Sequence, residues 1–159
     1  MKKQQKGFSL IELLIVVAII LIIASIAIPN LLRARISANE SSAVGSIRTI
    51  NTAMISYNST YPSVGYASTL AALGGTNCAP PSPASACLID SQLASGTKSG
   101  YSFTLTGVTG TPGATYEIIG DPTIANQTGV RHFCSFADGV VRFAVTAISN
   151  CDYSVSPLQ

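Results

Sequence analysis

The cysteines are the residues of this 159-residue chain whose type and number most clearly predict chemistry. All of them follow an apolar amino-terminal segment, and an even number of cysteines in an exported chain is typical of disulfides. Zinc binding is the competing use, but the sequence contains no Cys-x-x-Cys motif and has a single histidine. We therefore predict disulfides and no metal site, with three pairings open on arithmetic alone. The residues are Cys78, Cys87, Cys134 and Cys151.

The other polar residues do not form a recognisable catalytic set. His132 is the only histidine, and its place in a predicted strand favours a core or hydrogen-bonded role over catalysis. Asp121, Asp138 and Asp152 are candidates for a calcium site, but each also suits a turn and no ligand-loop pattern connects them. The glycines match neither a phosphate-binding loop nor a dinucleotide-binding motif. We therefore predict that the protein is not an enzyme and needs no cofactor.

One carboxylate lies inside the most apolar stretch of the chain. Between Phe8 and Ile28 the conspicuously polar residues are Ser9, Glu12 and Ser25. At helical rise this stretch spans about 31 Å, close to the thickness of a bilayer core. A carboxylate there costs about 2.5–3.5 kcal/mol on insertion scales, so Glu12 is expected to have a partner or a task. The alternative is that its side chain reaches to the membrane interface.

Positive charge is concentrated ahead of this apolar stretch. Of 9 Lys+Arg, three are Lys2, Lys3 and Lys6, so the rest of the chain carries six positive against seven negative side chains. The basic leader predicts a cytoplasmic amino terminus, and the near-neutral remainder gives no support for nucleic-acid binding. Charged residues make up 10% of the chain and hydrophobic residues 47%, which suits a subunit that hides much of its surface in an assembly.

The junction between leader and apolar stretch carries a specific pattern. Gly7-Phe8-Ser9-Leu10-Ile11-Glu12, followed by Leu13-Leu14-Ile15-Val16-Val17-Ala18, resembles the start of type IV prepilins and the related pseudopilins. The resemblance covers Lys6 to Pro29 and extends only loosely beyond it. It implies cleavage by a prepilin peptidase between Gly7 and Phe8, methylation of the new amino terminus at Phe8, and pairing of Glu12 with the amino terminus of a neighbouring subunit.

The segment after the apolar stretch changes from uniformly apolar to amphipathic. Pro29 removes a helical hydrogen bond, so we expect a kink or a locally unwound turn there. Past it, apolar residues recur every three or four positions as far as Tyr57, with polar residues mostly between them. We predict a leader at 1–7, a transmembrane and assembly helix at 8–29, its amphipathic continuation at 30–58, and one globular head with an αβ-loop at 59–159. The recurring residues are Leu31, Leu32, Ile36, Val44, Ile47, Ile50, Met54 and Tyr57.

The carboxyl-terminal half shows the alternating pattern of strands. We predict a helical turn at 67–73, four strands at 101–106, 115–119, 130–136 and 140–146, and a turn at Gly120-Asp121-Pro122. Asp138-Gly139 suits a two-residue hairpin loop. That loop places Cys134 opposite Phe143 and His132 opposite Val145 on an inward face. The opposite face then carries Arg131, Ser135, Arg142 and Thr146.

The cysteine pairing follows from these elements. Cys78 and Cys87 bound a short proline-rich loop, which predicts that they pair with each other. Cys134 then pairs with Cys151, which requires the chain after Thr146 to fold back over the sheet. The predicted fold is therefore α+β, with a long, bent amino-terminal helix packed against a small antiparallel sheet head, the pilin fold.

The sequence and the resemblance together predict a structural subunit of a type IV pilus-like extracellular filament. The precursor is expected to cross the inner membrane once, and its partners to be prepilin peptidase, a pilus assembly platform and further copies of itself. The alternatives are a pseudopilin of a type II secretion system, a minor adhesive or DNA-uptake pilin, and an enzyme anchored by a signal helix. We expect no nucleic-acid partner.

Overall fold

A computed structural model describes residues 9–75 and 78–158 and has the predicted α+β fold. A long helix, α1, is followed by two short helices and a five-stranded antiparallel sheet in which neighbours along the chain are neighbours in the sheet. The chain divides into two compact units that meet in sequence between Arg35 and Ile36. The elements are α1 Leu10–Thr60, α2 Leu70–Leu73, α3 Ser91–Ala94, β1 Thr97–Lys98, β2 Tyr101–Thr106, β3 Glu117–Pro122, β4 His132–Phe136 and β5 Arg142–Ala144.

The first unit contributes the apolar part of α1. Its helical geometry continues through Pro29 without interruption, so the locally unwound turn expected there is absent. Because Pro29 has no N–H, the backbone carbonyl four residues earlier, that of Ser25, loses its helical partner, but this does not by itself force the surrounding residues out of helical geometry. A bend of the helix axis at Pro29 stays a prediction.

In the second unit, α1 is amphipathic, as its periodicity predicts. Ala43, Ile47, Ile50, Met54 and Tyr57 are buried at spacings of three and four residues and form the centre of the core. The buried stripe begins at Glu40 and not at Leu31 and Leu32, which are exposed. The same core also contains residues from one face of the sheet and from the two short helices, among them Leu70, Leu73 and Leu93.

The sheet has two differently covered faces. The helix face carries Tyr101, Phe103, Ile118 and Phe133, which share a core with α1. The opposite face, here called the tail face, is covered by residues 148–155 of the carboxyl-terminal segment. Residues on the tail face belong to a second, smaller apolar cluster of Cys134, Ile148 and Cys151, packed against Ile119, Phe136, Ala144 and Val155.

The hairpin between β4 and β5 differs from the prediction by one residue. Cys134 lies opposite Arg142 and His132 opposite Ala144, not opposite Phe143 and Val145. The loop has three residues: the N–H of Gly139 donates to the carbonyl of Phe136 (2.8 Å), and within the loop only Gly139 has a positive φ, +73°. Three-residue hairpin loops place a single glycine in the left-handed region, whereas the predicted two-residue loop needs two such positions.

The shifted register changes which β5 side chains are buried. Arg142, expected on the solvated face, is 5% exposed, whereas Val145, expected inside, is 69% exposed. Ser135 was also expected outside and is fully buried on the helix face. The prediction that Cys134 faces an interior is confirmed, but that interior lies under the tail and not under the helix.

The predicted turn at Gly120-Asp121-Pro122 is wrong, because these residues continue β3 to its end. Gly120 lies opposite Phe103, and an added Cβ would come within 3.2 Å of the Phe103 ring and 3.4 Å of the Ile47 side chain. The glycine therefore allows α1 to pack closely on the sheet and does not mark a turn. β1 and α3 are elements that the sequence pattern did not reveal.

Candidate assembly interface

The apolar part of α1 is the most unusual surface of the chain. From Leu10 to Arg35 its side chains are exposed, apart from the half-buried Ala24, and no residue of its most apolar window is buried. This helix is long and apolar enough to cross a membrane. Such a surface is unstable in water, so it requires a bilayer or other protein chains around it.

Glu12 lies in the first turn of α1 and has a partner that the sequence analysis missed. Its Oε2 accepts a hydrogen bond from the backbone N–H of Ser9 (2.9 Å), and the carbonyl of Ser9 accepts from the N–H of Leu13 (3.2 Å). Ser9 and Glu12 thus have the spacing of a capping box, Ser-x-x-Glu, in which the glutamate satisfies an amide at the helix start. The proposed cleavage residues Gly7 and Phe8 lie outside the described residues.

A second carboxylate, Glu40, attaches α1 to the segment that leads into β4. It is 6% exposed and accepts hydrogen bonds from the N–H groups of Val130 (3.0 Å) and Arg131 (3.1 Å) and from the Arg131 Nε (2.8 Å). Burial alone would raise the pKa of Glu40, but these donors and the positive charge of Arg131 hold it below its ordinary value. The neighbouring Asn39 donates to the carbonyl of Thr128 (2.8 Å).

Asn51 forms the second polar attachment between α1 and the sheet. Its Nδ2 donates to the Ser135 Oγ (2.9 Å) and to the carbonyl of Gly139 (3.2 Å), and its Oδ1 accepts from the Tyr116 hydroxyl (3.1 Å). Burial raises the pKa of Tyr116 to about 12, so its hydroxyl stays a donor. A buried amide with each of its hydrogen-bonding atoms engaged fixes the position of α1 against the hairpin loop.

Two disulfides close the loops of the head in the predicted pairing. Cys134 is bonded to Cys151, and the chain after Thr146 folds back over the sheet to make that bond. The returning tail then pairs with β5, because Phe143 N–H donates to Ser156 O (2.9 Å) and Leu158 N–H donates to Val141 O (2.9 Å). The exposed edge of β5 is thereby covered by the chain's own carboxyl terminus.

The second disulfide, between Cys78 and Cys87, lies in the proline-rich connection after α2. The loop that it closes contacts the carboxyl-terminal end of α1, since the Tyr57 hydroxyl donates to the carbonyl of Pro83 (2.8 Å). The N–H of Ala86 donates to the carbonyl of Ala72 (2.9 Å), which ties the same loop to α2. The loop closed by this disulfide is therefore attached to both α1 and α2.

The three aspartates considered as calcium ligands do not form one site. Asp121 contacts the His132 Nδ1 (2.6 Å), Asp138 forms an ion pair with Arg142 (2.6 Å), and Asp152 accepts from Ser154 and Asn150. Within residues 9–75 and 78–158, no three His, Cys, Asp or Glu side chains form a group suited to a metal ion. Each of these aspartates thus has a local structural partner.

Comparison with known proteins finds a match at the amino terminus. Residues 2–28 match the family model of the prokaryotic N-terminal methylation motif. A 38-residue segment is 63% identical to the type IV wide pilus major component PilA4 of Thermus thermophilus, covering 24% of this chain and 29% of that relative. No solved structure matches the chain. The pilin family is a family of structural subunits and not of enzymes. The chain therefore resembles the type IV pilin family through its methylation motif and apolar amino-terminal helix.

Proposed function

We propose that this protein is the structural subunit of a type IV pilus-like filament on the outside of a bacterial cell. The observation that carries the proposal is the exposed apolar surface of α1 with a single carboxylate, Glu12, in its first turn. The methylation motif over residues 2–28 supports the same assignment. An apolar helix that is stable in a bilayer and equally stable among copies of itself can pass from membrane to filament.

The precursor is inserted in the inner membrane with its amino terminus in the cytoplasm. Prepilin peptidase then cuts between Gly7 and Phe8 and the new amino terminus is methylated. The assembly platform transfers the subunit to the base of the filament, where the helices of many copies bury their apolar surfaces against one another. Because each copy presents one surface and accepts another, the contact repeats without closing into a ring.

Glu12 has two roles in this account. In the single subunit it accepts the Ser9 N–H, which caps α1. In the filament its carboxylate pairs with the Phe8 ammonium of a neighbouring subunit, which compensates a charge that is otherwise unfavourable in an apolar environment. The contact therefore acts as an assembly signal for a correctly processed partner.

The variant Glu12→Ala should impair filament assembly without impairing membrane insertion. Removing the carboxylate makes the segment more apolar, so membrane insertion should be unchanged, whereas filament yield should fall strongly because the partner of the Phe8 ammonium is lost. Membrane fractionation measures insertion, and electron microscopy of sheared surface filaments measures yield. Ser25→Ala, in the same helix, serves as the matched control. Wild-type filament yield from Glu12→Ala would exclude the assembly role of Glu12.

A pseudopilin of a type II secretion system is the second candidate, because it shares the leader and the apolar helix. Imaging distinguishes the two, since a pilin gives long surface filaments at natural expression and a pseudopilin does not. A minor adhesive or DNA-uptake subunit predicts that filaments persist when this chain is deleted. Loss of all filaments on deletion, with their restoration by the wild-type gene, supports the proposed major structural role.

A further inference from the structure

The head presents one aromatic side chain, Tyr153, to solvent on a segment that is held in place. Tyr153 is 81% exposed, although its ring packs edge-on against Phe136 with 5.1 Å between the centroids. The Arg142 guanidinium lies 4.3 Å from the Phe136 centroid and 5.4 Å from that of Tyr153. Cys151, two residues earlier, is bonded to Cys134. A large ring that is both ordered and exposed loses little conformational entropy on binding, as interface anchors do.

The residue before this ring supplies a negative charge. Asp152 accepts hydrogen bonds from the Ser154 Oγ (2.5 Å) and N–H (2.8 Å), and both hold the pKa of its carboxyl below the usual range. It is exposed, and none of the described residues forms a salt bridge with it. Of the other carboxylates of residues 36–158, Glu40, Asp90, Asp121 and Asp138 have cationic or histidine partners. Glu117 is half-buried and accepts from the Cys151 N–H.

A complementary site lies at the start of β4. Arg131 uses its Nε for Glu40, and nothing in the described part of the chain accepts a hydrogen bond from its two terminal nitrogens. Its side chain is 40% exposed and borders a cavity of about 340 Å³ lined also by Phe143, Ser156, Pro157 and Leu158. The Phe143 ring centroid lies 5.6 Å from the guanidinium carbon. A cationic fork beside an apolar cavity suits a carboxylate that is accompanied by an aromatic ring.

Asp152 and Tyr153 cannot bind in the Arg131 cavity of their own head. Arg131 comes just before the first residue of β4. Tyr153 packs on Phe136, the last residue of that strand. The two sites are therefore about 17 Å apart along the strand. The disulfide and the ring packing hold the Tyr153 segment at its own end. A second copy of the chain can bring its Asp152 and Tyr153 to the Arg131 cavity without rearranging either head.

We propose that Asp152 and Tyr153 of one subunit dock in the Arg131 cavity of the next, with the carboxylate on the guanidinium fork and the ring beside Phe143. This inference rests on the proposed filament function. The contact joins different surfaces of two copies, so it is heterologous and propagates into an open helical array. It adds a polar, orientation-specific contact between heads to the non-directional burial of the apolar helices.

Within residues 36–158, Arg48 is the competing cation for Asp152. It is exposed on α1, and none of the described residues pairs with it. Its neighbours on the exposed helix face are Gly45, Thr49 and Thr52, which carry no large apolar side chain for the adjoining ring to pack on. The Arg131 site accommodates the charge and the ring together.

Photo-crosslinking at position 153 tests the docking directly. Incorporation of p-benzoylphenylalanine in place of Tyr153 keeps an aromatic ring at the exposed position. Irradiated filaments should yield a crosslinked dimer, and its digested peptides should join residue 153 to a peptide that contains Arg131 or residues 156–158. The same probe at Ile124, which is 52% exposed and outside the contact, should give no such product. A crosslink confined to the Arg48 peptide or to the probe's own chain, or none in intact filaments, overturns the docking.

Variants measure what the contact contributes. Tyr153→Ala should raise the subunit concentration below which filaments dissociate by about 10-fold, an effect typical of removing an interface anchor. Tyr153→Phe keeps the ring and should dissociate at nearly the wild-type concentration. Asp152→Asn should remove most of the salt dependence of dissociation while keeping the carbonyl oxygen that accepts from Ser154. Ile124→Ala is the matched control. If wild-type protein forms no filaments, the proposed function fails; if it does and Tyr153→Ala dissociates like wild type, only the docking fails.

Discussion

At the residue scale, a few buried polar groups determine where α1 lies on the head. Glu40 and Asn51 project from the same face of the helix and bind the chain at the two ends of β4. From the sequence, Glu40 and Asn51 are two of several polar positions between the apolar ones, because hydrophobic periodicity predicts which face is buried and not which hydrogen bonds form. A buried polar group with every partner present specifies one position, whereas apolar packing alone tolerates shifts.

Glu40 should make the stability of the head depend on pH. Because its pKa in the fold lies below the ordinary value of 4.5, the unfolded chain binds more protons on acidification. The stabilisation is therefore present above about pH 4.5 and is lost as the pH falls through the lower, folded pKa. Urea unfolding of the full chain in detergent, followed between pH 3 and 7, measures this slope.

The variant Glu40→Gln should lower the free energy of unfolding at pH 7 by about 1–3 kcal/mol, since it leaves Arg131 without its anion. It should also flatten the acid limb of the pH profile. Asp90→Asn is the matched control, because the Lys98–Asp90 pair is solvent-exposed and such pairs contribute about 1 kcal/mol or less. An unchanged acid limb in Glu40→Gln would show that other carboxylates carry the pH dependence.

At the element scale, the sequence predicted the types of the main elements better than their registers. The long helix, its buried stripe and the antiparallel strands follow from hydrophobic periods of 3.6 and 2, which are local properties. The hairpin register was wrong because Asp138-Gly139 fits both a two-residue loop and the last two positions of a three-residue loop. Alternation could not decide, since the tail covers the second face and leaves no solvated side from which to read the pattern.

Substituting Gly139 and Gly45 by alanine should change the stability of the fold in opposite directions, because the two glycines have different backbone conformations. At both Gly139 and Gly45 an added Cβ would meet no atom within 4 Å, so only backbone conformation distinguishes them. Gly139→Ala should destabilise the fold by about 1–2 kcal/mol because φ is +73° there. Gly45→Ala, in the exposed part of a helix, should stabilise it by about 0.5–1 kcal/mol. Thermal unfolding measures both, and equal effects would contradict the hairpin geometry.

The disulfide between Cys134 and Cys151 should contribute strongly to the stability of the tail. Its ends are 17 residues apart, and closing a loop of that size is worth about 3 kcal/mol in the chain-entropy model. The double variant Cys134→Ala and Cys151→Ala should unfold at lower urea concentration and exchange the Phe143 and Leu158 amides faster. The corresponding removal of Cys78 and Cys87 should leave those two amides protected. Unchanged exchange at Leu158 in the first variant would show that strand pairing alone holds the tail.

At the scale of the whole molecule, more of the first unit than of the second could be predicted from the sequence. The apolar helix was predictable because length and hydropathy suffice, and the leader junction gave a specific family resemblance. The surface of the head was not predictable in this way, because the exposure of Tyr153 and the surroundings of Arg131 depend on the carboxyl-terminal segment that folds back over the sheet. The family model matches residues 2–28 and the relative matches over 24% of this chain, so most of the head must be understood from its own contacts.

The most direct test of the filament account is the amino terminus of the protein in surface filaments. Filaments sheared from cells are dissolved, and the subunit is examined by intact mass and amino-terminal sequencing. The account predicts that the mature chain begins at Phe8, carries one added methyl group and contains two disulfides. A chain in the filaments that retains Met1, or one that begins after Ile28 and so lacks the apolar helix, would contradict it.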